Sequence, residues 1–196
     1  MTLLLAAVLA LSPRPVEPPM VTREQWGAKP HLAGAKPHWI THITIHHTGV
    51  LSNKERTLED KLRGLQAFSQ RVDKLASGKE KPAWPDIPYH YYIDIHGRLG
   101  EGREWWFVGD TNTEYDPTGH LLIVVDGEFE TEKVQPAQMK TLEDMVTWCA
   151  YRWRVPIVNI QTHKDHSQQT TCPGADLYAK IPGLLETVRH RLNRDQ

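Results

Sequence analysis

The chain lacks a run long enough to span a bilayer. Its N-terminal apolar stretch, Leu3 to Leu11, is nine residues long, against the roughly 20 that a transmembrane helix needs. No transmembrane segment is therefore expected. Charge of one sign is lacking as well. With 23 basic and 24 acidic residues the formal net charge is −1, so no global field draws the protein to nucleic acid or to an anionic membrane, and nucleic acid is not expected as a partner. Cysteine is scarce. Cys149 sits inside an amphipathic helical pattern and reads as a buried apolar thiol, whereas Cys172 lies in a polar loop beside histidines and reads as a ligand. The one disulfide these two could form is not expected. What is present is an ordinary globular composition, 39% apolar and 24% charged, with 11 histidines in 196 residues. That is enough for one domain with its own core, expected as a monomer.

Leu3 to Leu11 has the length of a signal-peptide core, and Pro13, Pro15, Pro18 and Pro19 follow it as a stiff, extended linker. Residues 1–20 are read as a signal-like segment plus linker, and 21–196 as the folded domain. Export to the periplasm or the cell exterior follows if the segment is a leader, and a cytoplasmic location if it is not.

Within the domain, residues 39–47 (WITHITIHH) alternate as a strand does, with Ile43 and Ile45 on one face and Thr44 and His46 on the other, and Gly49 ends it. Thr57 to Leu75 reads as a helix capped by Thr57, with Leu58, Leu62, Leu65, Phe68 and Val72 at helical spacing. Residues 89–95 form a strand turned by His96-Gly97 into a second one. Residues 121–125 (LLIVV) predict a central strand covered on both faces. Pro136 opens a helix whose buried stripe is Met139, Leu142, Val146, Cys149 and Trp153, and Pro156 ends it. Residues 157–162 are a strand delivering His163, and a last helix carries Leu184, Leu185, Val188 and Leu192. Strands and helices interleave, which predicts an α/β single domain, a central mixed sheet flanked by about three helices.

Chemistry concentrates in two places. His163, His166 and Cys172 fall within ten residues of a loop that follows a strand, and thiolate with imidazole favours zinc among biological metals. His46 and His47 end another strand. Neighbouring side chains there point to opposite faces, so one is a ligand and the other packs or meets substrate. If the two strand ends lie side by side, two histidines and one cysteine converge, and three ligands leave the fourth tetrahedral position for water, as in catalytic zinc sites. A closed site recruiting His166 or His47 is the alternative.

These residues carry a resemblance. The stretches 23–30 (REQWGAKP), 43–49 (ITIHHTG), 87–103 (IPYHYYIDIHGRLGEGR), 108–110 (VGD), 136–142 (PAQMKTL) and 163–178 (HKDHSQQTTCPGADLY) resemble, in order, the zinc-dependent amidase family. That family includes phage T7 lysozyme, bacterial N-acetylmuramoyl-L-alanine amidases and animal peptidoglycan recognition proteins. The resemblance implies one zinc ion held by His46, His163 and Cys172, and hydrolysis of the bond between N-acetylmuramic acid and L-alanine in peptidoglycan or a muropeptide. It makes Tyr89 the catalytic tyrosine and Thr170, two before the cysteine, a donor to the tetrahedral intermediate. His47, Thr48 and Trp106 are the expected substrate contacts, and Asp165 is either an orienter of a ligand or a capping carboxylate.

The chain also departs from the family's pattern. The interval from His163 to Cys172 is one residue longer than usual, so the loop bulges or the position matching Thr170 shifts by one. Phe68-Ser69 stands where an aromatic-His pair is usual, and Gly109-Asp110-Thr111 where Gly-x-His is usual. Two other functions compete with the hydrolase: a peptidoglycan-binding module without catalysis, whose members typically lose the cysteine, and an intracellular amidase of soluble anhydro-muropeptides.

Overall fold

The six residues His120–Val125 (β6) are all buried, five of them aliphatic and fully so, and a strand with apolar side chains on both faces must lie between two layers. The computed structural model, which describes residues 14–75 and 78–193, places it there. The sheet has the order β5-β4-β6-β1-β7, built from β1 (His42–His47), β4 (Tyr91–Ile93), β5 (Leu99–Glu101), β6 and β7 (Ile160–Thr162). β4, β6, β1 and β7 run parallel and only β5 is antiparallel to its neighbour. The sheet is mixed, as expected.

Helices cover both faces. On one, Ile43, Ile45, Leu121 and Ile123 pack against α3 (Pro136–Trp153) and α6 (Ile181–Asn193) through Leu142, Val146, Cys149, Leu184 and Val188. On the other, Tyr92 and Val124 meet Trp26 of α1 (Arg23–Trp26) and Leu58 and Leu62 of α2 (Leu58–Ser69). Among the described residues α2, α3 and α6 are the long helices, accompanied by the one-turn α1, α4 (His163–His166) and α5 (Ala175–Tyr178). No described helix is long and apolar enough to cross a membrane. The expected leader core lies in residues 1–13, outside the described residues. Val21, where compact structure was expected to begin, bridges to Gly100 on the edge strand.

Several boundaries differ from expectation for local reasons. β1 starts at His42, because pairing begins with His42 opposite His120 and Trp39 is left with 84% exposure. Residues 157–159 form a 3-10 turn begun at Pro156, and only 160–162 pair. α2 stops at Ser69 rather than near Leu75. The chain instead forms a short hairpin of β2 (Asp73–Lys74) and β3 (Glu80–Lys81), and the ammonium of Lys81 takes the carbonyls of Ser69 and Arg71. The turn at His96-Gly97 is as expected. Gly97 has φ +77°, and a Cβ there would lie 2.6 Å from the carbonyl oxygen of Ala137.

Candidate metal centre

Two parallel strand ends build the site. Ile45 on β1 is in register with Thr162 on β7, so the next residues, His46 and His163, leave the sheet side by side. Cys172 reaches them from the loop after α4, held by two backbone contacts: its carbonyl accepts from Lys164 N at 2.8 Å, and its sulfur accepts from His47 N at 3.3 Å. One ligand atom from each of His46, His163 and Cys172 lies within 4.8 Å of the others. Cys172 Sγ is 3.7 Å from His46 Nδ1. A tetrahedral zinc with ordinary bond lengths would separate such a sulfur and nitrogen by about 3.6 Å, so this donor set fits that ion.

Burial sets the protonation of the three groups. It pushes the Cys172 thiol up to about 12, against a smaller opposing effect of the His47 amide. It also pulls His46 well below the usual imidazole range, helped by the neighbouring charge of His163. His163 is lowered to about 4, by burial first and His166 next. The set is thus a neutral thiol and two neutral imidazoles until a cation arrives, when the positive charge favours the thiolate.

Outer contacts aim the rings. Thr113 Oγ1 lies 2.8 Å from His163 Nε2, and Thr111 Oγ1 lies 3.4 Å from the same nitrogen. The Tyr115 hydroxyl is 3.5 Å from His46 Nε2. Such contacts orient metal-binding imidazoles. These three residues were missed by reasoning from sequence, although the polar run 111–115 follows the Gly-x-His position whose departure was visible. His166 turns away from the centre; its ring lies 4.7 Å from that of His120 and stacks on Tyr115, so it does not close the site.

His46 and His163 open into a cleft of about 600 Å³ lined by Thr48, Tyr89, Thr170, Phe68, Trp84 and Asp126 among others. Tyr89 sits with its ring 5.2 Å from that of His46, and burial raises its pKa far above the ordinary phenol value. Thr170 Oγ1 accepts from Cys172 N at 3.1 Å, and the residue lines the cleft. Beneath it a buried ion pair, Lys61 with Asp126 at 2.5 Å, forms part of the floor.

Two expected substrate contacts are not brought there, and a third residue is reassigned. His47 points to the other face of β1, where its Nδ1 accepts from Phe129 N and faces Glu128; it packs, and touches the centre only through its amide. Trp106 lies outside the cleft lining, 43% exposed, edge-on to Trp105, which packs on Trp153 at the end of α3. Asp165 is a cap: it accepts from Thr162 N and Oγ1, and its other oxygen takes the Tyr178 hydroxyl. Of the two departures noted in the sequence, Asp110 is an ion-pair partner of buried Arg103. Phe68 lines the cleft while Ser69 is fully buried.

A five-stranded mixed sheet with a buried two-histidine, one-cysteine cluster at its strand ends defines a class of α/β metal-site proteins. The particular family follows from comparison: the family model described as N-acetylmuramoyl-L-alanine amidase matches residues 35–175, and the chain belongs to that family. A mouse N-acetylmuramoyl-L-alanine amidase is 28% identical over 180 residues, covering 88% of this chain but 31% of the mouse protein. The chain therefore spans about a third of that relative's length. Peptidoglycan-recognition protein SC1a/b of Drosophila simulans is 25% identical, with 84% of each chain covered. Among solved structures, Drosophila peptidoglycan recognition protein SD superposes with a TM-score of 0.70 at 26% identity, covering 84% of this chain and 94% of that one.

Proposed function

We propose that the protein is a zinc-dependent N-acetylmuramoyl-L-alanine amidase, cleaving the amide between the lactyl group of N-acetylmuramic acid and L-alanine in peptidoglycan, with His46, His163 and Cys172 as zinc ligands. The carrying observation is the convergence of one thiol and two imidazoles, with both imidazoles lining an open cleft; such a set would hold zinc while leaving it a position for solvent or substrate. When bound, zinc supplies Lewis acidity, polarising the amide carbonyl and lowering the pKa of a water toward about 7. The chain's own groups do the rest. Tyr89, kept protonated by its burial, donates from its hydroxyl to the oxygen that gains charge. Thr170, whose oxygen already accepts from Cys172 N, has its hydroxyl proton left for the same oxygen. One such donor is worth roughly 3 kcal/mol of barrier. The walls of the cleft orient the stem peptide and exclude bulk water, and the N-terminal apolar run fits export to where intact walls lie.

Recognition without cleavage is the competing function. The presence of the Cys172 thiol beside His46 favours hydrolysis, since a site built only to bind has no use for a ligand so costly to deprotonate. Digestion of purified sacculi by the zinc-loaded protein, followed by mass spectrometry, tests the proposal. Free stem peptides together with peptide-free glycan are expected. Cut glycan, cleaved cross-links, or sacculi that bind the protein yet stay intact would reject it.

A further inference from the structure

Lysine is almost never fully buried unless paired, yet Lys81 on β3 is 0% exposed. Its ammonium is satisfied by carbonyls instead of a carboxylate: Ser69 O at 2.9 Å, Arg71 O at 2.9 Å and Pro82 O at 2.6 Å. All three of its N–H donors are thereby used. Ser69 is the last residue of α2, so one of these carbonyls belongs to the helix end, where the dipole is negative, and it also accepts from Trp84 N at 2.9 Å. The same ammonium lies 5.2 Å from the centre of the Phe68 ring and 4.5 Å from that of Trp84, within the range of cation–π attraction. Phe68, Trp84 and Leu75 all line the cleft.

One ion thus joins the end of α2, the backbone at Arg71 and Pro82 and two aromatic faces of the cleft. Withdrawing an ammonium from water is expensive, several kcal/mol per ion, and burial indeed lowers the pKa of Lys81. A methionine of similar length would fill the space without that cost. The hairpin it belongs to pairs two residues on each side, too few to hold themselves. The charge is therefore explained by what it fastens.

We propose that Lys81 is a positioning residue for the substrate cleft: its buried ammonium clamps the Phe68–Trp84 wall to the end of α2 and so sets how tightly a muropeptide is held. The ligand's identity rests on the amidase reading; the clamp itself does not.

The test compares the zinc-loaded wild type with Lys81→Met and Lys81→Arg by zinc content, amide hydrogen exchange, and KM and kcat on a soluble muropeptide. Lys81→Met should keep one zinc per chain and unchanged exchange in β1 and β6. Amides of the described residues between 70 and 86 should exchange about tenfold faster and KM should rise about tenfold, the scale of one lost charged hydrogen bond or desolvated cation–π contact, with kcat within about threefold. Lys81→Arg, which keeps charge and donors, should recover part of both effects. Unchanged exchange overturns the clamp, and faster exchange with unchanged KM overturns the positioning role. Should Lys81→Met fail to fold, Lys81→Arg decides: a raised KM with kcat kept supports the proposal, a lowered kcat with KM kept overturns it. A wild type that neither binds nor cleaves muropeptide overturns the amidase reading and the positioning role together, while the exchange contrast still reports on the clamp.

Discussion

Acid should destabilise this fold through buried imidazoles, with His90 foremost. His90, fully buried, accepts from Leu122 N at its Nδ1 (2.8 Å) and lies 2.8 Å from Phe107 O at its Nε2. A backbone amide can only donate and a carbonyl can only accept, so the ring must be the neutral tautomer with its proton on Nε2. Protonating Nδ1 would set N–H against N–H. Burial is the main cause that lowers the pKa of His90 to about 3, with the Phe107 carbonyl opposing it. The unfolded chain titrates near 6.5, so below that pH the unfolded state binds the extra proton and the folded state does not. The stability is present in full above 6.5 and is lost as pH falls from there toward 3. At pH 5 the gap is one and a half pKa units, about 2 kcal/mol relative to pH 7. His38, which bridges Gly119 N and Trp105 O in the same manner, adds to the loss. The perturbation that isolates His90 is His90→Asn, whose side-chain oxygen can keep the bond from Leu122 N but does not titrate. It forfeits roughly 1 kcal/mol at pH 7 with the Phe107 bond. Urea unfolding of both proteins in the same zinc state, at pH 7 and pH 5, should show the wild type losing about 2 kcal/mol more than the variant; the share of His38 and the other histidines cancels in the difference. Equal losses in the two proteins would refute the assignment of a neutral, wired His90.

Zinc uptake at pH 7 should release about one proton, from the Cys172 thiol held up near 12; calorimetry in two buffers of different ionisation heat counts it, and affinity should weaken as pH falls. Tyr89→Phe should retain one zinc per chain and lose about a hundredfold in kcat on muropeptide, read by metal analysis alongside turnover. Trp106→Ala should leave KM and kcat within about twofold, because no part of that side chain lines the cleft. Lys61→Met should cost about 3 kcal/mol in urea unfolding by leaving Asp126 buried and unpaired, and adding Asp126→Asn should restore most of it.

What the sequence revealed and what it hid divide along physical lines. β6 was legible because five consecutive aliphatic residues admit few environments other than between two layers, and α3 because Pro136 and Pro156 bracket a clear helical stripe. The convergence of His46, His163 and Cys172 was legible because each lies at or near the end of an element whose type could be read: two strands and a loop rich in turn residues. The end of α2 was not, since Val72 and Leu75 continue the helical spacing, while the Ser69 and Arg71 carbonyls are taken by Lys81, a residue beyond the helix whose contact exists only in three dimensions. Trp106 was misassigned for a related reason. Its neighbour Trp105 and the end of α3 fix the ring, and nothing between residues 103 and 110 announces that contact. Thr111, Thr113 and Tyr115 lie in a loop outside any helix or strand, so their approach to the imidazoles could not be read from spacing.

Those three residues bear on how the site is held. Each proposed ligand is constrained twice, once through the backbone and once at its side chain. His46 sits in the middle of the sheet by its pairing with Val124 and meets the Tyr115 hydroxyl at Nε2. His163 follows directly on β7 and meets Thr113 at Nε2. Cys172 is fixed by the bond from Lys164 N to its carbonyl and by the His47 amide at its sulfur. A donor set fixed in this way loses little conformational freedom when it closes on an ion, whereas three free side chains would each surrender rotamer entropy. The departure from Gly-x-His at 109–111 fits the same logic: the Thr111 hydroxyl, 3.4 Å from His163 Nε2, can accept from a ring N–H without adding a third imidazole that would compete for the cation.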